Sequence, residues 1–184
     1  MDGPTYSDLR GPVNTVAPAS VTLSTTDKAL HLAAQIGNLG VQNWSVGKNY
    51  RIEVMGTFTS AATPGNLTLS LYWGTGADAN GTVLCATAAT AWTASQSTKT
   101  WKAWCDITVT TLGASGAIVA GGSAKFNEAA IAAELMMPDT SGPVAVTVDL
   151  TAASNVFSIQ AKRSGSTAET MQISAGYPKV HALN

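Results

Sequence analysis

Between Lys48 and Thr59 the chain reads KNYRIEVMGTFT. Taken in steps of two, Tyr50, Ile52, Val54, Gly56 and Phe58 fall on one side, and Arg51, Glu53, Met55, Thr57 and Thr59 on the other. Side chains on a strand alternate between faces, so this is an apolar face set against a mostly polar one. A helical period would mix the two sets. The stretch therefore predicts a long, half-buried antiparallel strand, and its apolar face requires a second sheet to cover it.

The same alternation recurs along the chain. Leu30, Leu32, Ala34 and Ile36 alternate with Ala29, His31, Ala33 and Gln35, predicting a strand over 29–36, and Val21–Ser24 reads as a short edge strand. Leu67, Leu69, Leu71 and Trp73 form an apolar face after the turn residues Thr63-Pro64-Gly65-Asn66, and this strand is expected to make a hairpin with 48–59. The loop GTGADANG (74–81) ends in Asn80-Gly81, suited to a tight turn into the strand 81–88. Trp101, Ala103, Cys105, Ile107 and Val109 mark a third long strand, which LGASG (112–116) turns back into 117–126. Gly121-Gly122 in that return predicts a bulge or a close backbone approach. The segment 127–137, NEAAIAAELMM, is rich in helix formers and is read as one short helix, with an irregular strand as the alternative. Strands at 144–150 and 157–161 follow, and Glu169–Tyr177 is expected to pair back on the latter after the turn Ser164-Gly165-Ser166. About eight to nine short strands joined by Gly, Ser, Thr and Asn turns predict an all-β antiparallel β-sandwich, with a jelly roll as the leading topology.

Residues 1–20 carry Gly3, Pro4, Gly11, Pro12 and Pro18 without apolar periodicity. Proline fixes φ and removes a donor, so this reads as an extended N-terminal arm preceding a single sandwich domain over 21–184. Its alternatives are a disordered tail and an arm that orders against a neighbouring subunit, with Tyr6 and Leu9 among the residues that would dock.

Only 11% of the 184 residues are charged, against roughly 25% in ordinary soluble domains. Either a Ser-, Thr-, Ala- and Gly-rich surface or burial against other subunits accounts for this. The net charge is −1 and the cations are scattered singly, so nothing suggests nucleic-acid binding. No apolar run approaches the roughly 20 residues of a membrane span, and the N-terminus has neither a basic region nor an apolar one typical of a signal peptide. The expectation is a protein made in a cytoplasm.

The residues present no catalytic or cofactor constellation. His31 and His181 have no carboxylate or second histidine at ligand spacing. Glu53, Asp106 and Asp149 fall on outward strand positions, where a solvated or subunit-contacting charge is the ordinary reading, and a glycosidase would need two carboxylates brought together from distant strands. Asp78, alone in its glycine-rich loop, lacks the carboxylate density of a calcium site. Cys85 and Cys105 read as small buried thiols, with a bridge possible only between neighbouring strands. Trp73 and Trp101 point inward. Tyr72 and Trp104 point outward by pattern, and Trp44 and Trp92 lie in loops. Outward aromatics serve as protein-interface anchors or as sugar-stacking platforms, and the low charge favours the interface.

Four blocks carry a resemblance: ALHLAAQI (29–36), NYRIEVMGTFTSAATPGNLTLSLYWG (49–74), WKAWCDITVTTLGASGAIVAGG (101–122) and VTVDLTAASNVFSIQAKRSGSTAETMQISAGYPKV (146–180). In strand order and turn placement the chain resembles the small jelly-roll virion proteins of tailed bacteriophages, of the capsid-decoration, minor structural or head-fibre type. The resemblance implies a non-enzymatic assembly protein without metal or cofactor. It would associate with itself, as a homotrimer, and with the major capsid protein or tail proteins at the outer surface of the virion. The candidate partner contacts are Tyr6, Leu9, Met55, Tyr72 and Trp104. The alternative is a receptor- or glycan-binding module of a phage tail or fibre.

Overall fold

Strand β3, Asn49–Thr59, buries Tyr50, Ile52, Val54, Gly56 and Phe58 and leaves the residues between them partly or fully open, as the alternation requires. It lies in a computed structural model that describes residues 17–30, 44–131, 133–138, 142–165, 168–175 and 177–183. The other strands are β1 (Val21–Thr22), β2 (Lys28–Ala29), β4 (Asn66–Gly74), β5 (Thr82–Ala86), β6 (Thr90–Ala91), β7 (Lys99–Thr111), β8 (Gly116–Phe126), β9 (Leu135–Met137), β10 (Ala145–Val148), β11 (Val156–Arg163), β12 (Thr170–Ile173) and β13 (Lys179–Ala182).

They form two antiparallel sheets. The larger has eight strands in the order β1-β12-β3-β7-β8-β10, with β13 also on β3 and β9 also on β8. The smaller has five, in the order β2-β11-β4-β5, with β6 also on β4. The protein is therefore an all-β sandwich. The arrangement is compatible with a jelly roll.

The expected hairpin between β3 and β4 does not form. β3 pairs with β7 and β12, while β4 pairs with β11 and β5 in the opposite sheet. The two apolar faces meet across the core instead. Period-2 alternation is the same in either arrangement, and residues 60–65, at about 3.3 Å each, span the roughly 10 Å between sheets with ease. The Ser60 amide donates to the Gln96 carbonyl and the Gly65 amide to Glu169 Oε1, which fixes this crossing. Likewise β12 does not pair back on β11 but crosses to β3. A buried ion pair, Arg163 Nε to Glu169 Oε2 at 2.9 Å, holds that second crossing, and Arg163 also donates to the Leu23 carbonyl. The hairpin from β7 into β8 forms as predicted, and so does the turn from β4 into β5.

No helix occurs among the described residues, and the expected helix over 127–137 is replaced by turns and by β9. Leu135–Met137 pairs with Gly122–Ala124 of β8, beyond the end of β10. Helix propensity differs by at most about 0.7 kcal/mol per ordinary residue, less than a sheet edge gains by satisfying its backbone groups. At Gly121-Gly122 the register runs on without a bulge, and the close approach is what is found. A Cβ on Gly122 would stand 1.9 Å from the Trp104 carbonyl oxygen. The strand predicted over 29–36 begins with β2 and then passes outside the described residues, as do His31, Tyr6 and Leu9.

Eight aromatics fill the two ends of the core. Trp44, Tyr50, Trp73 and Phe157 meet at one end, with Trp44 5.3 Å from Tyr50 and 5.5 Å from Trp73. Phe58, Trp92, Trp101 and Phe126 meet at the other. The two loop tryptophans are thus core residues and form no sugar platform.

Candidate interaction face

The two sheets differ on their outer faces. On the small sheet, Ser70, Tyr72, Ser158 and Gln160 point away from the core yet are buried. The loop after β4 lies over Gln160. Gln160 Nε2 donates to the Ala77 carbonyl, and the Ala79 amide donates to Gln160 Oε1. Tyr72 packs beside Asp27, whose carboxylate also meets Lys162 at 3.2 Å. Tyr72 is only 7% exposed, and burial first, then Asp27, pushes its phenol up to about 12. The pattern placed its side chain on the outward face correctly, but a covered residue is not a partner contact. Asp78 in the same loop is held by Lys28 Nζ at 2.7 Å and by the Ala29 amide at 2.8 Å. That pairing gives it a structural role, and no cluster of three or more metal-ligating side chains occurs among the described residues.

The outer face of the large sheet is open. Register places Arg51 opposite Asp106 and Glu53 opposite Trp104 on β3 and β7. Arg51 binds Asp106 through two parallel hydrogen bonds of 2.7 Å, a planar fork matched to a carboxylate. The Arg51 guanidinium carbon lies 4.6 Å from the Trp104 ring centroid. That hydrogen bonding raises the guanidinium pKa further. Glu53 faces His181 of β13 at 3.8 Å. Of the three candidate carboxylates, Glu53 and Asp106 share this face, each beside a basic side chain. Asp149 lies elsewhere, capping a turn by accepting from the Thr151 amide and hydroxyl.

Trp104, half-buried, forms one wall of a groove of about 530 Å³ whose other lining includes Val119, Gly121, Met136 and Pro143. Gly121 supplies a floor with no side chain, and Pro143 closes over it, so a Cβ there would meet Pro143 Cγ at 2.9 Å. Met136 is 59% exposed. On the other side of Trp104 lies Met55, 37% exposed, in a second groove of about 370 Å³ with Lys102 and Lys125. These two lysines stand directly opposite each other on β7 and β8, a like-charge pairing that is unfavourable by itself, and Glu128 lines the same groove.

Of the five candidate contacts, the structure brings Met55 and Trp104 together and puts Tyr72 on the other side of the molecule. Sequence reasoning missed Met136 and Pro143, because their position depends on β9 and the segment leading into β10 flanking β8. It also missed the pairing of Arg51 with Asp106, which depends on the register between β3 and β7. No family model, no curated protein and no solved structure matches this chain.

Proposed function

We propose that this chain is a non-enzymatic structural protein of a phage virion, a capsid decoration protein that stabilises the outer surface of the head. In this reading it assembles as a homotrimer and seats on the major capsid protein through the outer face of its large sheet. The observation that carries it is the contrast between the two outer faces. On one, Gln160 and Tyr72 are covered, and the other presents Trp104, Met55 and Met136 beside Lys102 and Lys125. Aromatic and methionine side chains anchor protein interfaces, and a stable interface buries at least about 1,000 Å² in total. The low charge of the chain supports the same reading. The receptor- or glycan-binding alternative drew on Trp44, Trp92 and Tyr72, all of which are buried.

The test is the copy number of the protein in purified virions, measured by quantitative mass spectrometry against the major capsid protein. A ratio near the capsid subunit count, or a simple fraction of it, is expected. A handful of copies per particle transfers the protein to the tail or a fibre. Complete absence from virions, with a monomer at micromolar concentration, overturns the reading.

A further inference from the structure

We propose that Cys85 and Cys105 are an oxidisable pair that closes into a disulfide across the two sheets. Cys85 lies on β5 of the small sheet and Cys105 on β7 of the large one. Both are free and buried, and their sulfurs are 3.5 Å apart. Facing sheets are normally about 10 Å apart, so two inward side chains as short as cysteine touch only where the layers converge. The residues around Cys105 produce that convergence. Toward β8 its neighbours are Gly122, Ala120 and Ala124, all small, and Ala103 precedes it on β7, while Ile107 and, on β3, Ile52 flank it on the other sides. With so little bulk on β8, β5 closes against that strand.

A disulfide bond is about 2.05 Å long, so the sulfurs must approach by about 1.5 Å. The packing allows such a shift. Beside Cys105 lies a narrow interior gap, too small for a water, bordered by Val54, Leu69, Leu71 and Ile159. Access comes from the sheet edge. β5 is the last strand of the small sheet, and its register on β4 breaks at Cys85: Leu71 pairs with Cys85, and Tyr72 pairs with Val83. Leu84 is the extra residue of this bulge, and Val83 is 42% exposed. A short, bulged edge strand opens locally at low cost, which admits a small oxidant to the pair.

With hydrogen peroxide the chemistry balances without any further reagent. One thiol attacks a peroxide oxygen through its sulfur, the O–O bond breaks, and its proton passes to the departing hydroxide, so that a sulfenic acid and water form. The second thiol attacks the sulfenic sulfur, the S–S bond forms and the S–O bond breaks, and its proton joins the departing hydroxide as a second water. The two sulfurs lose two electrons in total, and one peroxide is reduced to two waters.

The experiment uses the purified full chain, folded, treated with hydrogen peroxide after full reduction. Intact mass spectrometry under non-reducing conditions is expected to show a monomer lighter by two hydrogens, and thiol labelling in denaturant is expected to find neither cysteine free. The closed loop spans 20 residues, so the oxidised protein should melt about 5–10 °C higher than the reduced one. Cys85→Ala and Cys105→Ala should each lose the gain while folding normally. If the thiols stay free in the folded chain, gain oxygen without bridging, or bridge only between molecules, the proposal fails. The wild-type measurement alone decides this, whether or not the variants fold. It is made on the isolated protein, so its outcome is independent of where the protein resides.

Discussion

Tyr50 and Tyr72 show how one residue type takes two positions on the same architecture. Tyr50 points into the core beside Trp44, and Tyr72 points out of the small sheet under a loop. Burial pushes both phenols up to about 12. In the unfolded chain a tyrosine titrates near 10. The folded value is the higher one, so their contribution to stability is complete below about pH 10 and is lost as the pH rises toward about 12. Urea midpoints at pH 9 and pH 11 should therefore differ, with the lower midpoint at pH 11. Tyr50→Phe, which keeps the ring, should make the alkaline decline shallower. An unchanged midpoint between the two pH values would contradict this assignment.

The long strands were legible because each satisfies a local rule. β3, β7 and β8 alternate over eleven to thirteen residues, and every inward position read from the sequence in β3 and β7 is buried. What could not be read was which strand pairs with which. Leu67, Leu69 and Leu71 look the same whether β4 lies beside β3 or across from it, so the hairpin was expected where a crossing exists. Short pieces failed for the opposite reason. β6, β9 and β13 owe their extension to the neighbour they complete, and nothing within TA, LMM or KVHA specifies a strand. Trp44 and Trp92 sat in loops by pattern, but the gap that receives Trp44 belongs to both sheets and the one that receives Trp92 is built by β3 and β8. The exposed grooves depended on the same missing information. Among the elements, β5 should be the least protected of the longer strands. It is five residues long, bulged and at an edge, whereas β3 and β7 are flanked on both sides. Native-state hydrogen exchange should find its amides exchanging at least ten-fold faster than those of β3 and β7. Equal protection would argue against local opening.

At the scale of the whole molecule, the proposed function makes the difference between the two outer faces the determinant of association. Met136→Asp combined with Met55→Asp places two charges on exposed outward positions of the large sheet. Surface changes of this kind cost about 0.5 kcal/mol or less in folding, so the double variant should melt like the parent. Its self-association and its occupancy of particles should fall at least about ten-fold, because a desolvated charge at an interface core is costly. Val83→Asp, on β5, should leave both unchanged. Sedimentation and particle binding of the three proteins check this, and equal behaviour would exclude the open face as the contact. The loop that covers Gln160 also limits what such a molecule can build on its small-sheet side. A body with a single receptive side lines a surface as tiles do and cannot act as cement between two surfaces. Its uptake should therefore saturate at one layer, and any excess should stay in solution without drawing coated objects together.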